Sequence, residues 1–126
     1  MKLVAATRGS PLALWQTQHV ATLLKPLGVD VEPLIVLTSG DRDQEAPIHQ
    51  IGGKGVFAKE VQNAVLENRA DFAVHSLKDL PSTTPDGLEL IAVPRRGDPR
   101  DALVGSSLDE LPIGGNVATG SVRRKA

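Results

Sequence analysis

In residues 71–81 a lysine and an aspartate follow a short apolar run, and charged side chains of these types can take part in binding or catalysis. Residues 72–75 predict a short buried strand, because the apolar run is too short for a helix. Ser76, Lys78 and Asp79 follow, and Pro81 fixes a turn. Ligands of α/β proteins bind outside the carboxyl ends of strands, so Asp79 is predicted to lie at a site. A solvated Lys78–Asp79 loop pair is the alternative.

Other predicted strand ends and helix starts carry groups that suit an anion: Arg8, Ser10, Lys54, Lys78, Ser121, Arg123 and Arg124. Helix N-termini present unpaired N–H groups, and the arginine fork binds carboxylates with two hydrogen bonds. Together they predict a cleft for an anion with several carboxylates or phosphates. Asp79 is the negative group there, and it suits a substrate that is also cationic or becomes so during reaction.

Three polar features of the sequence also have an interpretation that involves no ligand. Gln16 shares the predicted apolar face of a helix, where it is either a satisfied core amide or a ligand contact. His75 on an apolar strand is interpreted as a satisfied core histidine rather than a base. The basic run 123–125, taken alone, is typical of a solvated helix start.

The elements that position these residues alternate between strand and helix. Strands are predicted at 3–6, 29–37, 72–75 and 88–93, and helices from Pro11 to about Lys25 and over 56–68. Ser10 is the predicted N-cap, strand 3–6 is predicted to be central and parallel, and Pro33 indicates an edge strand or an irregularity. The buried face of the first helix is predicted to hold Leu12, Trp15, Val20, Leu23, Leu24 and Leu27. The fold class is α/β, a mostly parallel sheet flanked by helices.

The domain organisation follows from the prolines and charges of residues 94–100, which predict a hinge. Residues 1–93 form the first predicted lobe, and residues 101–126 begin a second one. That second piece has predicted strands at 102–104 and 116–119, a turn at 112–115 and a helix start at its end. Residues 38–55 form a long predicted loop whose ends carry Thr38, Asp41 and Lys54. The chain is therefore interpreted as a fragment of a larger protein.

Composition excludes several classes of function. The chain has 126 residues and no cysteine, which excludes a disulfide and a thiolate metal site. Its net charge of −1 gives no overall electrostatic field that would attract nucleic acid or an anionic membrane. Its three histidines are too scattered to suggest zinc. Residues 52–55 lack the spacing of a P-loop. No apolar run is long enough to span a membrane, and the start is too short for a signal peptide, so we expect a cytoplasmic protein.

Several of these segments, in this order, resemble the porphobilinogen deaminase (hydroxymethylbilane synthase) family. They are ATRGSPLALWQ at 6–16, GGKGVF at 52–57, LENRAD at 66–71, HSLKDLP at 75–81, DPRD at 98–101 and TGSVRR at 119–124. The resemblance implies a monomeric three-domain enzyme of tetrapyrrole and heme biosynthesis, with an active cleft between two lobes like those of periplasmic binding proteins. It implies a transferase that condenses four porphobilinogens, with loss of ammonia, on a covalent dipyrromethane primer.

The resemblance also implies roles for individual residues. Asp79 matches the catalytic aspartate, which stabilises the azafulvenium cation left when ammonia departs. The positions that match binding residues for primer and substrate are Arg8, Ser10, Gln16, Lys54, Ser76, Lys78, Thr119, Ser121, Arg123 and Arg124. The family attaches its primer through a cysteine in a C-terminal domain. The chain has no cysteine, so the fragment alone is expected to be inactive and to need the remainder of the enzyme as its partner.

Two alternatives from other classes remain. The same cleft could belong to a non-catalytic lobe that binds a small polycarboxylate anion, and Asp79 distinguishes the two because only an enzyme would need its charge. Nucleic-acid binding through Arg123 and Arg124 would show a steep salt dependence.

Overall fold

Strand β1 (Lys2–Thr7) is the middle strand of a three-stranded sheet in the computed structural model, which describes residues 1–38, 57–121 and 124–125. Strand β2 (Asp30–Ile35) lies on one side of β1 and strand β3 (Phe72–Ala73) on the other. Both pairings are parallel. The predicted central, parallel position of the first strand is confirmed, and so is the edge position that Pro33 indicates for β2.

Helix α1 (Pro11–Leu24) begins where the sequence predicts. Ser10 is its N-cap, and the Ala13 N–H donates to the Ser10 Oγ at 3.3 Å. Pro11 follows as the first helical residue, where its missing N–H costs nothing. A single 3₁₀ turn, Lys25–Leu27, continues α1, and Gly28 ends it with a positive φ of 75°, which favours glycine.

The packing face of α1 differs from the predicted one. Thr17 is its buried residue, whereas Leu12, Trp15 and Leu23 are exposed. Thr17 donates its hydroxyl to the Ala13 carbonyl at 2.9 Å, so it enters the interior without an unpaired polar group. The prediction treated every large apolar side chain as buried. The small Thr17 instead lies in the buried interior, and Trp15 stacks on His19 with ring centroids 5.4 Å apart.

Helix α2 (Lys59–Leu66) supplies the other part of the core. Its Val61 and Ala64 form a buried cluster with Ala6 of β1 and Ala70, and Ala73 of β3 packs against this cluster. The helix is shorter than the predicted 56–68. Phe57 lies in a turn before it, and Asn68 lies beyond it with a φ of 57°, a left-handed conformation that asparagine tolerates.

Side chains alternate across β1, as in any strand. Ala6 faces the α2 side, where it joins the buried cluster. Thr7 is buried and its hydroxyl lies 3.4 Å from the Ala13 carbonyl of α1, so it faces the α1 side. Residues that follow β1 and β3 are therefore directed to one of two sides of the sheet, and each side is covered by a different helix.

Three predicted strands are wrong. Residues 88–93, 102–104 and 116–119 pair with no other strand among the described residues, and Ile91 and Val93 are exposed. Local sequence gives these segments strand-like residues, but a strand also needs a partner with which to exchange backbone hydrogen bonds. Of the predicted loop 38–55, Thr38 is buried, and residues 39–55, including Asp41, lie outside the described residues.

The chain divides into two compact units, Met1–Pro94 and Arg95–Ala126. The first unit carries the sheet and both helices, an α/β arrangement as predicted. The second contains the predicted turn at 112–115, in which the Gly115 N–H donates to the Pro112 carbonyl at 2.9 Å. The two lobes and the hinge at 94–100 stay a prediction. In the described part of the chain, no helix combines the length and apolar character needed to cross a membrane.

Asp71 extends the pairing between β1 and β3. Its side-chain Oδ2 accepts the Val4 N–H at 2.7 Å, and its own N–H donates to the Val4 carbonyl at 2.9 Å. The carboxylate thus takes the place of a backbone carbonyl just before β3 begins.

We predict that Asp71→Ala in the full-length protein lowers the free energy of unfolding by about 1 kcal/mol, the usual net value of one such hydrogen bond. Asp71→Asn keeps an acceptor oxygen and should lose clearly less. Urea unfolding measures both. Equal losses for the two variants would show that the Val4 hydrogen bond does not stabilise the sheet.

Candidate active site

Two opposite charges approach each other on the α2 side of the sheet. Arg8 follows β1, and its Nη1 lies 4.0 Å from the Oδ2 of Asp79, with side chains 20% and 23% exposed. The guanidinium carbon of Arg8 lies 4.2 Å from the centroid of the Phe57 ring. This is a cation–π contact. At 4.0 Å the two charges attract each other without a hydrogen bond between these atoms.

A tight turn presents Asp79. After β3 the chain forms a 3₁₀ helix, Leu77–Asp79, in which the Asp79 N–H donates to the Ser76 carbonyl at 2.9 Å. The Leu80 N–H donates to the Leu77 carbonyl at 3.2 Å and closes the turn. Lys78 in the same turn is exposed, while Asp79 is half-buried. The turn therefore separates the predicted cation from the predicted catalytic carboxylate.

Neutral polar groups lie on the α1 side. The Ser76 hydroxyl donates to Gln16 Oε1 at 3.0 Å, which joins the end of β3 to α1. The side-chain oxygen of Gln16 therefore has a hydrogen-bond partner, and its NH₂ group is a donor that could bind a ligand. Ser10 uses one lone pair to cap α1, and its O–H remains a possible donor.

His75 directly precedes Ser76 in the chain. Its Nε2 is buried and has no hydrogen-bond partner among the described residues, so the prediction of a satisfied core histidine is wrong for this atom. Burial lowers the pKa of His75 below its ordinary value of 6.5, the Asp79 carboxylate opposes that shift, and the Arg8 guanidinium adds to it. The imidazole is therefore neutral at pH 7.

The second unit holds the remaining described candidates. Thr119 Oγ1 accepts the Ser121 N–H at 3.1 Å, and the Arg124 N–H donates to the Ser121 carbonyl at 3.1 Å. Arg124 forms a two-point ion pair with Asp101, in which Nε donates to Oδ2 at 2.7 Å and Nη2 contacts Oδ1. These hydrogen bonds lower the pKa of Asp101. Arg124 thus already has a carboxylate partner within its own unit.

The structure brings six of the predicted site residues to one end of the first unit's sheet: Arg8, Ser10, Gln16, Ser76, Lys78 and Asp79. Lys54 and Arg123 lie outside the described residues. Sequence reasoning missed Phe57 as the ring that Arg8 contacts, because residue 57 was placed inside the predicted helix 56–68 rather than in the turn before it. It also undervalued His75. The signal available there was its position between an apolar run and Asp79.

None of the groups of His, Asp and Glu within the described residues is arranged to hold a metal ion. The chemistry of the site is instead that of hydroxyls, an amide, cations and one carboxylate. Cations and hydroxyls suit carboxylate groups of a ligand. Asp79 suits a positive charge or an N–H donor on the same ligand.

Comparison with known proteins identifies the family of the chain. Residues 3–126 match the family model described as "Porphobilinogen deaminase, dipyromethane cofactor binding domain". The porphobilinogen deaminase of Campylobacter fetus subsp. fetus is 51% identical over 128 residues, which cover 99% of this chain and 42% of that protein. Those of Sulfurimonas denitrificans and Acidithiobacillus ferrooxidans are each 48% identical, cover 98% and 95% of this chain, and each match 41% of the relative.

The first unit is thus an α/β unit whose predicted site residues surround one carboxylate, and the match over residues 3–126 defines its family. The chain belongs to the porphobilinogen deaminase family, through its dipyromethane cofactor binding domain. It spans about two fifths of the length of the curated relatives it matches, 42% and 41% for the first two.

We predict that Ser76 and Gln16 are energetically coupled. In a double-mutant cycle of Ser76→Ala and Gln16→Met, measured by urea unfolding of the full-length protein, the coupling free energy should be about 1 kcal/mol. Thr22 donates to the Gln18 carbonyl on the exposed side of the same helix, so a cycle of Thr22→Ala with Gln16→Met is the control and should show no coupling. Equal coupling in both cycles would contradict a specific bond between the helix and the strand end.

Proposed function

We propose that the protein containing this chain is a porphobilinogen deaminase (hydroxymethylbilane synthase), a transferase of tetrapyrrole and heme biosynthesis. It would join four porphobilinogens, with loss of four molecules of ammonia, and one water would supply the hydroxyl group of the hydroxymethylbilane released. The observation that carries this proposal is the half-buried Arg8–Asp79 pair, whose facing atoms are 4.0 Å apart. Arg8 suits the carboxylates of such a substrate, and Asp79 suits the positive charge that develops when ammonia leaves.

The carboxylate of Asp79 has the central role in this proposal. When the carbon–nitrogen bond of the substrate's aminomethyl group breaks, ammonia departs and the pyrrole is left as an azafulvenium cation. A fixed carboxylate stabilises that developing positive charge more than it stabilises the uncharged ring, which lowers the barrier. The same carboxylate can accept or return a proton, which contributes less.

The cationic and hydroxyl side chains bind the substrate's acetate and propionate groups. Arg8 is suited to this because its guanidinium, which lies over the Phe57 ring, offers a planar fork of donors. The proposed binding residues are those of the sequence prediction: Arg8, Ser10, Gln16, Lys54, Ser76, Lys78, Thr119, Ser121, Arg123 and Arg124. For Thr119, Ser121 and Arg124 the proposal rests on the family motif, and Arg124 would have to share its guanidinium with Asp101.

The same residues fit a dipyrromethane cofactor, because it too carries several carboxylates beside pyrrole N–H groups. When bound, that cofactor supplies the pyrrole carbon to which the first substrate is joined. Arg8, Ser10, Ser76 and Lys78 would hold its carboxylates, and Asp79 would accept from its N–H groups. The chain has no cysteine, so we propose that the attachment thiol belongs to another part of the enzyme, a monomer of the cytoplasm, and that the chain alone is inactive.

We predict that Asp79→Asn in the full-length protein lowers turnover of porphobilinogen by at least about 100-fold, as the loss of a key electrostatic stabiliser does. Asp86→Asn is the matched control, since Asp86 is exposed in a loop, and it should keep wild-type turnover. Circular dichroism of both variants checks the fold. Near wild-type turnover in Asp79→Asn would remove the catalytic assignment.

The intact mass of the denatured full-length protein, expressed through its natural stop codon, tests the cofactor. We expect a mass that exceeds the chain by one dipyrromethane. A mass equal to the bare chain, together with an absence of turnover, would favour a non-catalytic lobe that binds a polycarboxylate.

A further inference from the structure

The buried imidazole of His75 belongs to the charged side of the site. Ala73 packs against the buried cluster beneath α2, and side chains two positions apart share one side of an extended chain, so His75 also faces α2. Ser76, the next residue, reaches Gln16 on the α1 side, as this alternation requires. Arg8 faces the α2 side for the same reason, two positions after Ala6 of the buried cluster. His75 and Arg8 therefore follow neighbouring strands on one side of the sheet.

Histidine at position 75 is unusual because its buried Nε2 has no hydrogen-bond partner among the described residues. Its Nε2 is fully buried and meets no donor or acceptor in the described part of the chain. Burying a polar atom without a partner costs free energy, and an apolar side chain of similar size would avoid that cost. Such an atom, on the side of the sheet that carries Arg8 and Asp79, points to a hydrogen-bond partner that arrives later.

The charges around His75 favour an uncharged ring. Asp79, one turn further along the chain, attracts a proton to the imidazole, whereas Arg8 repels it and burial disfavours it most. The first turn of α2, on the same side of the sheet, contains Lys59 and Glu60. A charged imidazole would neutralise Asp79, but a neutral one can donate a hydrogen bond and leave the carboxylate negative.

We propose that His75 is a positioning residue for Asp79: its neutral imidazole donates the Nε2 proton to the carboxylate when a ligand carboxylate engages Arg8. In the structure without ligand, the facing atoms of Arg8 and Asp79 lie 4.0 Å apart. A ligand carboxylate on Arg8 takes over that attraction, and Asp79 then needs another group to hold its orientation. His75 supplies one without adding a positive charge. The proposal rests on the proposed function for the identity of that ligand.

Glutamine and asparagine distinguish the two imidazole nitrogens, since the glutamine amide can reach the Nε2 position and the shorter asparagine amide reaches the Nδ1 position. In the full-length enzyme, His75→Phe and His75→Asn should lower kcat for porphobilinogen about tenfold, the low end of what one proton-positioning group contributes, with KM changed less than about twofold. His75→Gln should recover most of kcat. His19→Phe, on α1 where the ring stacks on Trp15, is the control and should leave kcat unchanged.

A titration by NMR of the histidine rings in the full-length protein tests the contact without any turnover. His75 should titrate below its ordinary value of 6.5, and at a still lower pH in Asp79→Asn, because that variant removes the charge that favours its protonation.

Unchanged titration of His75 in Asp79→Asn would overturn the proposal, even if the activity proves correct. Equal loss of kcat in His75→Gln and His75→Asn, or full activity of His75→Phe, would also overturn it. If the wild-type protein shows no turnover, the proposed function fails, and the titration alone then decides whether His75 and Asp79 interact.

Discussion

Strand β1 pairs in parallel with a strand on each side, so the carboxyl ends of β1 and β3 lie at the same end of the sheet. Ala5 and Ala6 in the middle of β1 are completely buried, so the central strand offers small side chains to both layers of the core. Small residues let α1 and α2 approach the strand closely. Asp71 secures the entry to β3 by accepting from Val4 of β1. The site residues that follow these strands are thereby brought within reach of one another.

Alternation along the strands then divides the site by chemistry. The α1 side carries hydroxyl and amide groups, which bond to one another across α1 and β3 through Ser76 and Gln16. The α2 side carries the charges, with Arg8 resting on Phe57 and facing Asp79. A ligand with carboxylates and a developing positive charge would meet hydrogen-bond donors on one side and a charge pair on the other. Strand periodicity directs Arg8 and Ser76 to opposite sides, and the 3₁₀ turn after β3 presents Asp79.

Local signals in the sequence are enough to predict some of these elements. Ser10 and Pro11 mark the start of α1, and Pro33 places β2 at an edge, because each acts through its own backbone geometry. Residues 88–93 have strand-like composition but no strand forms there, since pairing depends on a neighbour that local sequence does not specify. The Ser76–Gln16 bond joins positions 60 residues apart, so local spacing could not reveal it. Local sequence places His75 next to the site, but whether its Nε2 finds a hydrogen-bond partner depends on the packing of the folded chain.

The other ion pairs of the chain show why the Arg8–Asp79 distance matters. Arg124 with Asp101 and Arg100 with Asp98 form direct side-chain hydrogen bonds, with Nε donating at 2.7 and 2.9 Å, although all four side chains are more than half exposed. Exposed pairs gain little from closing, while a partly buried pair gains more from the weaker screening. Arg8 and Asp79 are the less exposed pair, yet their facing atoms stay 4.0 Å apart. The guanidinium lies over the Phe57 ring and the carboxylate is carried by the 3₁₀ turn, so the two charged groups are supported by different parts of the first unit.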